Sequence, residues 1–181
     1  MSKRDYFQSR RSFIFTPGTR PELVSKAIDS GADIVCLELE DGVAPQDKQN
    51  ARNNVVSLFE TGYKSETVEL VVRINSLRSK YGLEDLNAFL EMEAPPPAIM
   101  LPKVNCAEEI KVVDDLLSER DLETRLHIII ETNLGLEASI DIAQASPRID
   151  ALFFGGVDMA ADLRCSGNWN SLLFARSKVV H

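Results

Sequence analysis

Residues 127–158 read HIIIETNLGLEASIDIAQASPRIDALFFGGVD and contain one repeat of the pattern from which the fold is predicted. The apolar runs at 127–131 and 149–154 each predict a strand, and the apolar spacing of 134–144 predicts a helix between them. Both strands are nearly continuous in apolar residues, which is typical of strands buried on both faces of a parallel sheet. This order predicts a parallel strand–helix–strand crossover.

The same order recurs along the whole chain. Strands are predicted at 12–16, 34–39, 69–74, 98–101, 127–131 and 149–154, and helices at 21–30, 46–59, 83–90, 107–118, 134–144 and 171–181. Proline and glycine punctuate the segments, as at Pro17-Gly18 and Gly155-Gly156. Six successive strand–helix units predict a parallel sheet with helical crossovers.

Two architectures use this repeat, the open doubly wound sheet and the closed (β/α)8 barrel. No GxGxxG or P-loop motif follows a strand, which disfavours a nucleotide-binding open sheet. The barrel places functional residues after many strands, and this chain has such residues at Pro17-Gly18, Glu40-Asp41, 73–75, Lys103, Glu131 and Asp158. A full barrel takes about 250 residues. We therefore expect residues 1–181 to form one partial TIM-barrel domain of six units, truncated at its carboxyl terminus.

The composition is that of a globular protein, with 181 residues, 44% of them hydrophobic, and a net charge of −8. This apolar content excludes intrinsic disorder, and no apolar run approaches the ~18 residues of a membrane helix. The acidic surplus argues against nucleic acid as a partner. The three cysteines lack zinc-ligand spacing, which predicts reduced thiols. Because the amino terminus is polar and basic rather than a secretory signal, we expect a cytoplasmic protein.

Positive charge is concentrated near the amino terminus. Residues 1–26 carry six basic and two acidic side chains, a local net charge of +4, whereas the rest of the chain carries −12. Arg20 and Lys26 flank the start of the first predicted helix, and together with residues 16–19 they could bind phosphate there. A solvated basic face is the alternative interpretation of the same residues.

Two carboxylates follow the last two predicted strands. Glu131 ends an apolar strand, where an unpaired charge is costly, and Asp158 follows the paired glycines after the sixth strand. Neighbouring strand ends converge in a barrel, so both carboxylates could bind one divalent ion, and two carboxylates with open water positions suit Mg²⁺. Alternatively, Asp158 caps a helix at 159–163 and Glu131 pairs with a core cation.

Arg73 is a cation within the β-branched run VVRIN, and a buried arginine needs an anion. That anion is either a substrate carboxylate or a protein carboxylate, Glu38 or Glu40. These two glutamates share strand parity, so we expect both to face the barrel interior. There they would pair with Arg73 or Lys103, or support a metal and its waters. His127 is predicted to pack within its strand rather than to act as a base.

Together these motifs resemble the family of citrate lyase beta subunits and malyl-CoA lyases, which are Mg²⁺-dependent (β/α)8 carbon–carbon lyases. The resemblance extends over residues 11–180 and rests on seven stretches in the order and spacing of the family. The stretches are RSFIFTPGTRPELVSKAIDSGADIV, LELEDGVAPQDKQNAR, VVRINSL with YGLEDL, IMLPKV, IIIETNLG, FFGGVDMAADL and LLFARSKVV.

The resemblance implies roles for individual residues. The metal carboxylates fall on Glu131 and Asp158, and the arginine that binds the oxo or hydroxy acid falls on Arg73. Further substrate contacts fall on Glu131, Val157 and Asp158. The implied coenzyme A contacts are Phe15, Arg20 and Lys26, and the implied supporting positions are Glu38, Glu40, Asp41 and Lys103.

The implied reaction cleaves a 3-hydroxyacyl-CoA, such as citryl-, malyl- or citramalyl-CoA, into an acyl-CoA and a 2-oxo acid such as oxaloacetate. The reverse reaction forms the 3-hydroxyacyl-CoA from these two compounds. The resemblance also implies a homo-oligomer, a trimer or hexamer, while the charge and the apolar pattern of the chain argue against nucleic-acid and membrane partners. Two positions depart from the family, since Glu38 replaces a common Asp and Asn133 a common Ala. The family's acid/base carboxylate belongs to a carboxyl-terminal region that follows the matched part.

Two other functions stay open at this point. A CoA-independent aldolase acting on pyruvate or oxaloacetate would keep the metal site, and it would not need Arg20 and Lys26. A truncated, non-catalytic homologue would bind a ligand or assemble with partners through the unpaired edges of its sheet.

Overall fold

The computed structural model describes residues 9–181 and contains one parallel sheet of six strands. The basic residues Lys3 and Arg4 of the sequence analysis lie outside the described residues. The strands are β1 (Phe13–Pro17), β2 (Ile34–Glu38), β3 (Glu69–Arg73), β4 (Ala98–Leu101), β5 (Arg125–Ile130) and β6 (Ile149–Phe154). Each strand pairs in parallel with the next one along the chain, in the order β1-β2-β3-β4-β5-β6. The predicted parallel sheet is confirmed.

The helices lie between the strands and after the last one. They are α1 (Val24–Ile28), α2 (Lys48–Glu60), α3 (Lys80–Leu90), α4 (Ala107–Glu119), α5 (Asn133–Glu137), α6 (Ser139–Ala143), α7 (Gly156–Asp162) and α8 (Leu173–Val180). Short 3-10 turns at Pro21–Leu23 and Pro45–Asp47 precede α1 and α2, because proline suits a first helical turn. No described helix has the length and apolar character required to cross a membrane.

Most helix boundaries differ from the sequence predictions by one to three residues, and three helices differ more. The helix predicted at 134–144 is divided into α5 and α6 at Ala138, and the one predicted at 21–30 is shortened to α1 after its 3-10 turn. Helix α7 overlaps the helix at 159–163 that the sequence offered as an alternative, and it begins three residues earlier, at Gly156. The alternative role of Asp158 as a helix cap is wrong, since Gly155 occupies the N-cap position and Asp158 lies in the first turn.

The sheet curves so that the side chains of its first and last strands meet. The rings of Phe13 on β1 and Phe153 on β6 are 5.5 Å apart, although among residues 9–181 these two strands form no backbone pairing. Strands in sequential order, all parallel and curved towards one another, form the wall of a barrel. The structure is therefore a six-strand part of a (β/α)8-type barrel, open between β1 and β6.

Alternate residues of each strand face two different apolar layers. One layer lies between the sheet and the helices, and includes Leu37, Val72 and Ile128. The other fills the concave interior and consists of Ile34, Cys36, Val71, Ala98, Met100 and Ile129, with Phe13 and Phe153 against it. Burial of both sheet faces explains why these strands lack polar alternation.

The amino end of the barrel is closed by charged side chains. Glu69, the first residue of β3, accepts hydrogen bonds from Arg10 Nε and Nη2 at 2.6 and 2.9 Å. His127 is completely buried beside it, with Nε2 3.0 Å from Glu69 Oε1. Burial opposes ionisation of Glu69, but His127 and Arg10 outweigh it and lower the pKa of Glu69 to about 2. His127 thus packs at the end of the barrel opposite to Glu131.

Candidate functional site

The predicted polar residues converge at the carboxyl end of the barrel. Glu38 ends β2, Arg73 ends β3, and Glu131 directly follows β5. Glu40 and Asp41 follow β2, Lys103 follows β4, and Asp158 lies in the first turn of α7 after β6. Parallel strands place all of these ends on one edge, so residues separated by more than a hundred positions in sequence become neighbours.

Glu131 is a buried carboxylate that lies beside Lys103 and Asp158. Only 2% of its surface is exposed, and its Oε1 accepts a hydrogen bond of 2.9 Å from the backbone N–H of Lys103. Burial, together with the nearby charges of Asp158 and Glu40, raises the pKa of Glu131 to about 7, against the opposing effect of Lys103. A cation bound beside such a carboxylate would lower the free energy of its ionised form.

Gly155 allows Glu131 to lie where it does. A Cβ atom at Gly155 would be 2.3 Å from Glu131 Oε2 and 2.5 Å from Glu131 Cβ, distances that side chains do not tolerate. The glycine after β6 therefore leaves room for the carboxylate after β5. This contact gives a physical reason for the first glycine of the pair singled out in the sequence.

Lys103 occupies the centre of the cluster of carboxylates. Its Nζ contacts Glu40 Oε1, lies 3.0 Å from Asp41 Oδ2, and lies 4.0 and 3.9 Å from oxygens of Glu131 and Asp158. Burial opposes its charge, but the hydrogen bonds from its ammonium to Glu40 and Asp41 outweigh this and raise the pKa of Lys103. Its φ of 54° is left-handed, which is uncommon for a residue other than glycine and is often found at functional sites.

Arg73 is held on the other side of the same cluster. It is paired in the sheet register with Glu38, and its Nε donates a hydrogen bond of 2.7 Å to Glu38 Oε2. Nη1 lies 3.4 Å from Glu40 Oε2, a buried oxygen that has no regular hydrogen bond among the described residues. The Phe15 ring lies 4.5 Å from the guanidinium carbon. The protein ion pairs considered from the sequence are therefore present.

The three residues implied for coenzyme A do not form one cluster of contacts. Phe15 faces the barrel interior, where its ring contacts Phe13 and Arg73. Arg20 and Lys26 are exposed on the segment that follows β1, and Arg20 pairs with the exposed Glu22. Phe15 is the middle residue of β1, whereas Arg20 and Lys26 follow that strand, Arg20 before the first 3-10 turn and Lys26 in α1.

The sequence analysis missed a buried network that fixes the segment carrying Glu40. Lys48 Nζ and Asn75 Nδ2 each donate a hydrogen bond of 2.8 Å to the carbonyl oxygen of Leu39. Asp85 is completely buried and accepts hydrogen bonds from Asn75 and Arg52 at 2.7 Å each. A usable signal was the position of Asp85 on the otherwise apolar face of α3, where an unpaired carboxylate would be costly.

The charge balance of the site favours a cation. Among the described residues, five carboxylates, those of Glu38, Glu40, Asp41, Glu131 and Asp158, lie around three cations, Arg73 and Lys103 in direct ion pairs and Lys48 close to Glu38, Glu40 and Asp41. Glu131 Oε2 accepts no hydrogen bond from the described residues, and the side chain of Asp158 is 38% exposed. Oxygen ligands with room for water are what Mg²⁺ prefers, so Glu131 and Asp158 fit this ion.

Comparison with known proteins places the chain among related sequences. A model of the family described as HpcH/HpaI aldolase/citrate lyase matches residues 11–181. The L-malyl-CoA/beta-methylmalyl-CoA lyase of Cereibacter sphaeroides is 38% identical over 163 residues, which cover 84% of this chain and 50% of that protein. The chain thus spans about half the length of this curated relative.

Solved structures agree with these sequence matches. RipC from Yersinia pestis is similar with a TM-score of 0.81 and 37% identity, over 97% of this chain and 71% of RipC. CitE from Mycobacterium tuberculosis, in complex with magnesium, acetoacetate and coenzyme A, is similar with a TM-score of 0.76 and 28% identity, over 95% of this chain and 62% of CitE. Every residue of the site lies within the matched region.

Proposed function

The chain belongs to the HpcH/HpaI aldolase/citrate lyase family, and from this membership we propose that it carries the metal and acid sites of a Mg²⁺-dependent carbon–carbon lyase. The proposed reaction converts a 3-hydroxyacyl-CoA, such as malyl-, citramalyl- or citryl-CoA, into an acyl-CoA and a 2-oxo acid, or the reverse. Because the chain spans about half of its curated relatives, the full reaction is proposed for the whole protein. The observation that carries the proposal is the convergence of Glu131 and Asp158 beside Arg73 and Lys103.

Glu131 and Asp158 are the proposed metal ligands. The backbone N–H of Lys103 fixes one oxygen of Glu131, and Gly155 leaves the other accessible. Asp158 reaches the same place from the first turn of α7, where Val157 beside it is proposed to contact the substrate. A bound Mg²⁺ supplies a Lewis acid for the oxygens of the 2-oxo acid.

Arg73 is the proposed partner of the substrate carboxylate. A guanidinium has five N–H donors, and Glu38 and Glu40 engage only part of them. Glu38 and Phe15 restrict the position of the guanidinium, so binding an acid does not have to order a flexible side chain. A fixed positive charge beside the metal ligands also stabilises negative charge that develops on the bound acid.

Arg20 and Lys26 are proposed to bind the phosphates of coenzyme A, with Phe15 between them and the acid site. Both cations are exposed on the segment that follows β1, and within residues 9–181 the ion-pair partner of Arg20 is the exposed Glu22. Charge reversal of both, R20E/K26E, should weaken binding of a CoA thioester and leave 2-oxo acid binding unchanged. The matched control is K64E/K111E, which changes the net charge equally at exposed positions elsewhere. Unchanged thioester binding would instead favour a CoA-independent aldolase.

Isothermal titration of oxaloacetate, and then glyoxylate, tests the metal and acid sites. We expect binding to the 181-residue chain in Mg²⁺ and none in EDTA. E131Q and D158N should abolish it, whereas D141N, which changes an exposed carboxylate on α6, should not. Metal-independent binding, or full Mg²⁺ affinity in E131Q, would contradict the proposal.

We further propose a homo-oligomer, a trimer or hexamer, in the cytoplasm. The large apolar side chains Leu134, Val157, Phe174 and Val180 are more than half exposed, which supports burial against further protein. Cys36, Cys106 and Cys165 are all free thiols, which supports a reducing compartment. Light scattering of the purified protein tests the assembly, because a monomer at micromolar concentration would contradict it.

A further inference from the structure

Lys103 places a fixed positive charge where a divalent cation would need negative charge. Its ammonium lies 4.0 Å from Glu131 and 3.9 Å from Asp158, and it is anchored by Glu40 and Asp41. The two anchoring carboxylates keep the ammonium near the ligand pair. Its side chain is 31% exposed, so part of it remains in contact with solvent.

The backbone of Lys103 acts on the same carboxylate as its side chain. The N–H donates to Glu131 Oε1 at 2.9 Å while the left-handed conformation, with φ of 54°, turns the chain after β4. Few residues other than glycine adopt this conformation without an extra contact that offsets the strain. Here the ammonium supplies such contacts, since four carboxylates from three segments of the chain surround it.

We propose that Lys103 is the built-in counter-cation of the site, which keeps Glu131 and Asp158 together without metal and lowers the affinity for divalent cations. This inference rests on the proposed function, because it assigns the divalent cation to Glu131 and Asp158. When that cation binds, the two positive charges repel each other, and the ammonium retains Glu40 and Asp41 as partners. The residue is thus a positioning residue that sets the strength of metal binding.

A neutral side chain at this position separates this role from a merely structural one. In K103M the repulsion of the incoming cation is removed, so Mg²⁺ should bind at least about tenfold more tightly than to the wild type, since a unit charge at about 4 Å changes binding constants by this much or more. In K103R the charge is retained, and the affinity should stay near that of the wild type. If the role of Lys103 were merely structural, both K103M and K103R would bind Mg²⁺ more weakly than the wild type.

Isothermal titration of MgCl₂ without substrate, at a pH well above 7 so that Glu131 is ionised in every variant, measures these affinities, and thermal melting in EDTA and in Mg²⁺ at the same pH provides a second measurement. K103M should melt at a lower temperature than the wild type in EDTA, because Glu131 and Asp158 then repel each other. Its gain in melting temperature on adding Mg²⁺ should exceed that of the wild type. K103Q is the second neutral variant, used if K103M is not folded by circular dichroism.

The possible results separate this inference from the proposed function. Mg²⁺ binding to the wild type with equal or weaker binding to the neutral variants would overturn the role of Lys103 and leave the metal site intact. Absence of Mg²⁺ binding in the wild type, K103M and K103Q would overturn both. Tighter binding to K103M that K103R does not share would support the inference.

Discussion

Substitution of Gly155 by alanine tests whether the position of Glu131 is fixed by packing. The new Cβ would lie 2.3 Å from Glu131 Oε2, 2.5 Å from Glu131 Cβ and 3.0 Å from Ile129 Cγ2. Glu131 Oε2 ends its side chain, but Glu131 is only 2% exposed and Ile129 only 5% exposed, and Glu131 Cβ is attached directly to the backbone. The backbone or the carboxylate must therefore shift.

The expected cost follows from that overlap. Inserting a methyl group into a well-packed site typically costs about 1–3 kcal/mol. For a domain of this size each kcal/mol lowers the melting temperature by about 2–4 °C, so G155A should melt at least a few degrees below the wild type. Displacement of Glu131 would also disrupt its hydrogen bond to Lys103, so Mg²⁺ affinity should fall along with stability.

Differential scanning fluorimetry and titration with MgCl₂ measure both effects. The matched control is G167A, because a Cβ at Gly167 has only Ala160 Cβ nearby, at 4.0 Å. That variant should melt close to the wild type and bind Mg²⁺ equally well. A G155A protein with the melting temperature and the Mg²⁺ affinity of the wild type would refute the steric argument.

Three further predictions concern charged groups. Burial raises the pKa of Glu131 to about 7, so Mg²⁺ binding should strengthen as the pH rises through 7. For the same reason the metal-free protein should lose stability as the pH rises from about 4.5, the pKa of a free glutamate, to 7. Calorimetry at several pH values measures both effects. The pKa of Glu69 is lowered to about 2, so its contribution to stability is complete above about pH 4.5 and is lost as the pH falls towards 2. In E69Q the free energy of unfolding, measured in urea, should therefore fall less steeply over this acidic range. D85A leaves Arg52 without a buried partner and should cost about 3–5 kcal/mol in urea unfolding.

Controls and contradicting results differ among these three. For Glu131, Mg²⁺ affinity that does not change between pH 6 and pH 8 would contradict the raised pKa. For Glu69, the control is E66Q at a nearby exposed position. The prediction would be contradicted if the free energy of unfolding fell equally steeply at acidic pH in E69Q and in the wild type. For Asp85, the control is E84Q, which changes the half-exposed partner of Arg52, and a D85A variant no less stable than E84Q would show that the network does not support the fold.

The sequence predicts the strands better than the details of the site. The apolar runs 34–39 and 149–154 predict buried strands, and the structure has strands there, of which β2 is buried throughout and β6 is only partly buried. The site residues were identifiable because a charge such as Glu131 or Arg73 inside an apolar run is costly without a partner. The choice of partner depends on strand register and curvature, so the ion pairs of Arg73 with Glu38 and Glu40 were only one of two options. The network around Asp85 was missed because its members lie on three separate segments.

The order of the strands has a consequence for how the site forms during folding. Every strand pairs with its neighbour in sequence, so the sheet can grow one unit at a time by local closure. The carboxylates, by contrast, come from residues 38 to 158, and they meet only when β2, β5 and β6 are all in place. A divalent cation bound at the proposed site would therefore act on the last stage of assembly, and it would stabilise the finished sheet through mass action rather than direct the earlier steps.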